Sequence, residues 1–268
     1  MPSTSQTRRR ELARLKARRE AARRQARRRR ALLLYGSMAL VILVAGLGGY
    51  AVLGRDRDKA KPSAQAGPDA RADAPTAPAA VACGATTPPR VQRLKLDRAP
   101  KTLAQASQHY QVVLKTSCGA VTLQLDPTAA PRTTYNFVFL AQRHYYDSTW
   151  FHRIVPGGKA SIGVIQGGDP KGTGEGGPGY TIPDELPKGK NPYRKYTLAM
   201  ANSGPDSGGS QFFVSTQDNR LPPNYTVFGR VVKGQDVVDK IARIPTGGQN
   251  GDTPTQAAWI ETATVSIT

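Results

Sequence analysis

The sequence has little of what metal and cofactor sites are usually built from. It contains 2 cysteines and 3 histidines in 268 residues, and His109, His144 and His152 are too scattered to match the spacing of a zinc site. It has no G-x-x-x-x-G-K-[ST] phosphate loop, and the glycine run at 172–180 follows no Rossmann pattern. Ser210 does not lie in a nucleophile elbow. We therefore expect no metal and no cofactor.

Acidic residues are also scarce, with 19 Asp and Glu against 38 Lys and Arg, for a formal net charge of +19. Such an excess can indicate a nucleic-acid partner, so its position along the chain matters. Residues 1–30 contain 13 basic and 2 acidic side chains, whereas residues 104–268 contain 15 and 12. The excess therefore belongs mainly to the N-terminus, and the larger part of the chain is nearly balanced.

One long apolar stretch is present. Residues 31–53 form a run of 23 residues without a charge, which is long enough to span a bilayer core of about 30 Å as a helix. Because the basic residues precede this run, the positive-inside rule predicts a cytoplasmic N-terminus and an extracytoplasmic remainder. A cleaved signal peptide is the alternative, but its apolar region usually has only about 7–15 residues. We expect an uncleaved, single-pass transmembrane anchor.

The segments on either side of this run have different predicted roles. Residues 1–30, the basic head, are rich in helix-forming Ala, Leu, Glu and Arg. We expect this head to bind anionic lipid at the cytoplasmic surface, which explains its charge without nucleic acid. Residues 54–103 are rich in Ala, Pro, Asp and Lys and have few large apolar residues. They are predicted to be a disordered linker that forms no core.

The folded domain is predicted to occupy residues 104–268. Short β-branched runs, including a hairpin at 110–125, alternate with turn signals, and helices are predicted from Pro131 and over Asp236–Ala242. About eight short strands and two helices favour a mainly β fold, specifically a closed eight-stranded antiparallel barrel capped by the helices. Residues 167–192 are rich in Gly and Pro and predict an irregular surface loop.

The two cysteines lie on either side of the predicted domain boundary. Cys83 is near the end of the linker, and Cys118 lies in the turn of the predicted hairpin. An oxidising compartment and an even count favour a disulfide between them, with two unpaired thiols as the alternative. Lipidation of Cys83 is disfavoured because no apolar signal core directly precedes it.

Three segments carry the candidate chemistry. They are Phe151-His152-Arg153-Ile154, then Gln166-Gly167-Gly168-Asp169, then Ala199-Met200-Ala201-Asn202 leading to Gly208-Gly209-Ser210-Gln211-Phe212-Phe213-Val214. In this order, followed by Val227-Phe228-Gly229-Arg230-Val231, they closely resemble the cyclophilin-type peptidyl-prolyl isomerases. The tracts YYDSTWFHRI and GTGEGGPGYTIPDE resemble the bacterial branch of that family. The resemblance covers residues from about 110 to 268 and implies a cyclophilin-like barrel.

The resemblance also implies a role for each site residue. Arg153 would be catalytic, donating a hydrogen bond to the prolyl nitrogen as the X-Pro bond rotates, because a guanidinium there stabilises the twisted amide more than either planar form. A surface salt bridge is the alternative for Arg153. Asn202 would hold a substrate carbonyl through its backbone N–H, and Gln166 and Gln211 would orient Arg153 and the substrate. The proline pocket and the adjacent groove would be lined by Val164, Ala201, Phe213, Leu221 and Tyr225, which otherwise are expected in the core.

The sequence departs from the family pattern around this pocket. The stretch at 156–168 is about five residues longer than usual and lacks a phenylalanine, for which Ile162 is the candidate substitute. Arg220 stands where the family has tryptophan, and Tyr225 where it has histidine. The resemblance implies that the missing tryptophan weakens cyclosporin binding, and that the missing phenylalanine affects the affinity for proline.

The predicted function is isomerisation of X-Pro bonds in exported or envelope proteins, outside the cytoplasmic membrane. Proline-containing segments of unfolded chains would be its partners, together with membrane lipid but no nucleic acid. A catalytically weak proline-peptide binding module tethered to the membrane is the alternative. An anchoring protein whose basic head matters most ranks third.

Overall fold

The structure, a computed structural model, describes residues 80–86, 94–158, 161–189 and 191–268. The predicted basic head, the predicted span at 31–53 and most of the predicted linker lie outside the described residues. Over the ranges that are described, no helix is both long enough and apolar enough to cross a bilayer.

Short strands dominate these ranges, and two α-helices interrupt them. Their order is β1 (Ala80–Val81), β2 (Tyr110–Thr116), β3 (Gly119–Leu125), α1 (Pro131–Ala141), β4 (Thr149–Trp150), β5 (Arg153–Gly158), β6 (Ser161–Gly167), β7 (Thr197–Met200), β8 (Phe212–Ser215), β9 (Val227–Lys233), α2 (Gln235–Ala242), β10 (Thr246–Gly247), β11 (Thr253–Pro254), β12 (Gln256–Ala257) and β13 (Trp259–Ile267).

Strands β2 and β3 form the predicted hairpin. They pair antiparallel from Gln111 opposite Gln124 to Thr116 opposite Gly119. The side chains of β2 alternate between buried and exposed along its whole length, because successive residues of a strand point to opposite faces. The apolar alternation of the sequence therefore predicted the two strands of the hairpin correctly.

The predicted closed eight-stranded barrel needs correction. Within the described residues, nine strands form the main sheet in the order β4-β13-β2-β3-β9-β7-β8-β6-β5, and its two end strands, β4 and β5, do not pair with each other. Phe151 and His152 separate β4, which pairs with β13, from β5, which pairs with β6. Only these two residues separate the edge strands, so the sheet must curl until its ends approach each other.

The two helices pack against this sheet at the predicted positions. α1 begins at Pro131, whose fixed φ and missing N–H suit the first helical position. Its Phe137 ring lies 5.4 Å from the ring of Phe212 on β8 and 5.2 Å from that of Phe228 on β9. α2 buries Val237, Val238 and Ile241. The expectation of a mainly β fold with two helices is confirmed.

The segment before residue 104 belongs in part to the domain core, contrary to the predicted core-free linker. β1 pairs in parallel with β12, Ala82 is buried, and Leu94 and Leu96 pack against the core. The predicted disulfide is present between Cys83 and Cys118. Because small apolar residues and one cross-link attach a strand without a long hydrophobic run, composition alone did not indicate this attachment.

Candidate active site

Arg153 lies at the first position of β5, directly opposite Gln166 on β6. Its Nη1 donates to Oε1 of Gln166 over 3.3 Å. The Arg153 side chain is 41% exposed, so its guanidinium is held by the protein on one side and remains accessible to a ligand. The two residues that the sequence analysis paired are therefore brought together.

Asp252 is a second partner of Arg153, and the sequence analysis missed it. The Nε of Arg153 donates to Oδ2 of Asp252 over 2.7 Å, across a sequence separation of 99 residues. Asp252 lies in a Gly-rich, polar stretch that carries no motif, so no sequence signal connects it with the arginine. The predicted alternative for Arg153, an ion pair, is present and lies within the same cluster of polar side chains as Gln166.

Gln211 extends this cluster to the glycine-rich loop. The Nε2 of Gln166 donates to Oε1 of Gln211 over 2.9 Å. The Nε2 of Gln211 donates in turn to the carbonyl oxygens of Gly174 and Gly176, each over 2.8 Å. A continuous series of hydrogen bonds therefore runs from Arg153 to the loop. It fixes the orientation of both glutamine amides, with the oxygen of Gln166 directed at Arg153.

Asp169, the last residue of the Gln-Gly-Gly-Asp motif, holds that loop in place. Its buried carboxylate accepts backbone N–H groups from Lys171, Thr173, Gly174 and Gly176 over 2.7–3.1 Å. A Cβ added at Gly176 would overlap the carboxylate, so a glycine is required at this position. The motif was noted in the sequence, but the sequence analysis gave its aspartate no role.

An apolar cluster lies beside these polar groups. Val164 on β6 and Phe213 on β8 are buried in it, and Ala201, Leu221, Tyr225 and Ile162 pack against it half-buried. All five residues predicted to line the substrate site, and the candidate substitute Ile162, are thus brought together. Gln166 is paired with Phe213 across the β6–β8 ladder, which places the polar and apolar parts of the site side by side.

One aromatic contact and two hydrogen bonds shape this cluster. The rings of Phe213 and Tyr225 are 5.4 Å apart and nearly perpendicular, at 89°, an arrangement that aromatic pairs favour. The hydroxyl of Tyr193 donates to the carbonyl oxygen of Tyr225 and accepts its N–H. Tyr193, which the sequence analysis did not single out, therefore fixes the backbone of Tyr225, and burial raises its own pKa.

Asn202 lies at the edge of the same site. Its Nδ2 donates to the carbonyl oxygen of Asn224 over 2.9 Å. The preceding residue, Ala201, donates its backbone N–H to the carbonyl oxygen of Gln211 over 2.9 Å. Asn202 is therefore held in place next to Ala201, which packs against the apolar cluster.

His152, immediately before Arg153, is buried. Its pKa is lowered, chiefly because burial disfavours the charged ring, and the nearby Arg153 guanidinium adds to this effect while the Asp169 carboxylate opposes it. Burial therefore favours a neutral His152 next to the charged guanidinium of Arg153.

Comparison with known proteins identifies the family to which this chain belongs. A family model described as "Cyclophilin type peptidyl-prolyl cis-trans isomerase/CLD" matches residues 111–265. The chain therefore belongs to the cyclophilin-type peptidyl-prolyl cis-trans isomerase family.

Two relatives and one solved structure show how far the similarity extends. The chain is 38% identical over 180 residues to a "Probable peptidyl-prolyl cis-trans isomerase B" of Mycobacterium tuberculosis, covering 62% of this chain but only 58% of that protein. It is 44% identical over 147 residues to the human "Peptidyl-prolyl cis-trans isomerase-like 1", covering 52% of this chain and 83% of that protein. A crystal structure of a Cryptosporidium parvum cyclophilin type isomerase shares 28% identity with a TM-score of 0.53, covering 59% of this chain and 98% of that one.

Proposed function

We propose that this chain catalyses the cis-trans isomerisation of X-Pro bonds. The observation that carries the proposal is the position of Arg153, whose guanidinium is 41% exposed and anchored by Gln166 and Asp252. The strand of Gln166 also carries Val164 of the apolar cluster. A cation and an apolar surface on neighbouring positions suit a substrate that presents an amide nitrogen next to a proline ring.

The reaction needs no nucleophile. Rotation about an X-Pro bond is slow because amide conjugation raises a barrier of about 18–20 kcal/mol. At the twisted geometry the prolyl nitrogen becomes pyramidal and gains a lone pair that can accept a hydrogen bond. An N–H of Arg153 directed at that nitrogen stabilises the twisted form more than either planar form, which lowers the barrier. Phe213, Val164 and Leu221 would hold the ring while the carbonyl turns.

Proline-containing peptide segments are the substrates that fit this site. The Cryptosporidium parvum cyclophilin type isomerase was also solved in the presence of the dipeptide Ala-Pro, with a TM-score of 0.53 to this chain. In our proposal the backbone of Asn202 and the side chain of Gln211 bind the peptide on either side of the proline.

A protease-coupled assay on an Ala-Pro-containing peptide tests the isomerase proposal, with the purified full chain compared against the spontaneous rate. We expect cis-to-trans conversion to accelerate in proportion to the protein concentration. No acceleration, combined with saturable binding of the same peptide in a fluorescence titration, would instead support the alternative of a proline-peptide binding module. If the chain neither accelerates isomerisation nor binds the peptide, both the isomerase proposal and the binding-module alternative are contradicted.

We further propose that the domain acts outside the cytoplasmic membrane on exported or envelope proteins. The uncharged run at 31–53 and the basic residues before it support this orientation, and the Cys83–Cys118 disulfide supports an oxidising compartment. Protease treatment of intact cells tests it, since the isomerase domain should be digested while the basic head, which would bind anionic lipid, stays protected. Protection of the domain until the cells are lysed would reverse the orientation.

A further inference from the structure

The loop that carries Asp252 is fixed to the site by its backbone. Asp252 directly precedes β11, which pairs antiparallel with β10 through Thr246 opposite Pro254 and Gly247 opposite Thr253. The backbone N–H of Ile154, next to Arg153, donates to the carbonyl oxygen of Asp252 over 2.8 Å. The loop is therefore attached to β5 without help from the Asp252 side chain, and the carboxylate is left for another role.

That carboxylate contacts the arginine at Nε, the guanidinium donor nearest the side-chain stem. A guanidinium has five N–H donors in one plane. Asp252 accepts the single Nε–H over 2.7 Å, and Gln166 accepts one Nη1–H over 3.3 Å. The three remaining N–H donors of Arg153 make no hydrogen bond to any of the described residues. Two fixed hydrogen bonds in one plane determine the plane of the guanidinium and hence the direction of the remaining N–H groups.

Burial separates this ion pair from an ordinary surface one. The Asp252 side chain is 18% exposed, against 41% for Arg153, whereas Lys115 and Glu261 form a pair that is 69% and 37% exposed. Exposed pairs contribute little to stability because water and salt screen them. The Asp252 carboxylate is largely shielded from water, so its attraction for the arginine is screened less than that of an exposed pair.

We propose that Asp252 is a positioning residue for Arg153, an inference that rests on the proposed isomerase function. Its carboxylate holds Nε so that the free Nη donors point toward the place of the prolyl nitrogen, and it balances the arginine charge between substrate binding events. With Gln166 as its only partner, the Arg153 side chain could still rotate about its terminal bonds. Asp252 thus acts on turnover through Arg153 and does not touch the substrate.

Activity measurements on the full chain test this role. Loss of the restraint in Asp252→Ala should lower kcat about 10- to 100-fold, since small misplacements of a catalytic group have effects of that size. KM should stay within about twofold, because the apolar cluster is untouched. Asp252→Asn, which keeps an oxygen acceptor in the same shape, should retain more activity than Asp252→Ala. Glu261→Gln, which breaks the exposed pair on β13 and β2, is the matched control and should leave kcat unchanged.

Two further readouts separate positioning from general structural damage. Asp252→Ala placed in an Arg153→Ala background should cause no additional loss of kcat/KM, because the carboxylate acts through the arginine. In the free wild-type chain, the Nε–H of Arg153 should give a slowly exchanging 15N–1H signal that disappears in Asp252→Ala. A further loss in the double variant, or wild-type kcat in both Asp252 variants, would overturn the proposal. If the wild-type chain itself does not accelerate isomerisation, the proposed function fails, and the Nε–H signal still decides whether the pair restrains Arg153.

Discussion

Arg153 and Gln166 lie directly opposite each other on antiparallel strands β5 and β6, with Nη1 and Oε1 3.3 Å apart. Gln166 also donates to Gln211, so the arginine is part of a series of side-chain hydrogen bonds. A group that is held in its working orientation before the substrate arrives needs no reorganisation during the reaction. The predictions below test this arrangement and the features that support it.

Arg153→Ala should abolish most of the isomerase activity. Removing one donor aimed at developing charge or a developing lone pair typically costs about 10²–10³-fold in rate. Arg153→Lys should recover little of this activity, because an ammonium lacks the planar set of N–H donors with which the guanidinium bonds Asp252 and Gln166 at the same time. The measurement is kcat/KM in the protease-coupled assay, with circular dichroism to check the fold. Lys115→Ala, an exposed residue on β2, is the control, and full activity of Arg153→Ala would show that the site is misassigned.

Asp169→Ala should destabilise the domain and reduce its activity. The buried carboxylate accepts four backbone N–H groups of the glycine-rich loop, and leaving such groups unsatisfied costs about 3 kcal/mol or more in total. The loop carbonyls that hold Gln211 would also lose their fixed positions. Urea denaturation and kcat measure the two effects.

Asp126→Ala is the matched control for that change. The Asp126 carboxylate also accepts backbone N–H groups, those of Thr128 and Ala129, but in an exposed turn. The Asp126→Ala substitution should lower the free energy of unfolding by about 1 kcal/mol and leave kcat unchanged. Equal effects of the two substitutions on kcat would contradict a special role for Asp169.

His152 should make the stability depend on pH in the weakly acidic range. Burial lowers its pKa in the folded state, while the unfolded chain takes up the proton at a pKa of about 6.5. Below about pH 6.5 the unfolded state therefore binds more protons than the folded state. The free energy of unfolding has its full value above this pH and decreases as the pH falls from about 6.5 to the lowered pKa of the folded state. The slope cannot exceed about 1.4 kcal/mol per pH unit for one group.

Urea denaturation of the wild type and of His152→Phe between pH 8 and pH 5 measures this dependence. The variant keeps an aromatic ring but cannot titrate, so its stability should change less over this range. A wild-type profile that is flat down to pH 5 would show that His152 does not contribute.

The disulfide should contribute strongly to stability. Cys83 and Cys118 are 35 residues apart, and the chain-entropy relation gives about 3–4 kcal/mol for closing a loop of that size. The double variant Cys83→Ser/Cys118→Ser should lose about this much free energy of unfolding in urea, and wild-type protein treated with a reductant should match it. A difference below about 1 kcal/mol would mean that β1 and the residues packed at 94–104 hold the segment without the cross-link.

Much of the fold and site was accessible from local sequence patterns. The hairpin of β2 and β3 follows from apolar alternation, and α1 from a proline at its first position, because such patterns depend on residues within one element. The motifs around Arg153, Gln166, Gln211 and Phe213 indicated the family, and the structure brings these residues together. Their roles in catalysis remain predictions that the Arg153 and Asp252 variants address.

The sequence by itself determined most strands of the main sheet and the two helices, the basic N-terminus with its uncharged run, and most of the residues that form the site. It also favoured the pairing of the two cysteines, which the structure confirms. Only the tertiary structure decided that Asp252 meets Arg153 across 99 residues, that Asp169 fastens the glycine-rich loop, that the segment before residue 104 joins the core, and that the sheet has nine strands without pairing between its ends. The physical reason is that periodicity and turn chemistry act within a few residues. Contacts between distant segments depend instead on how whole strands register and how the sheet curls, and no short window of sequence contains that information.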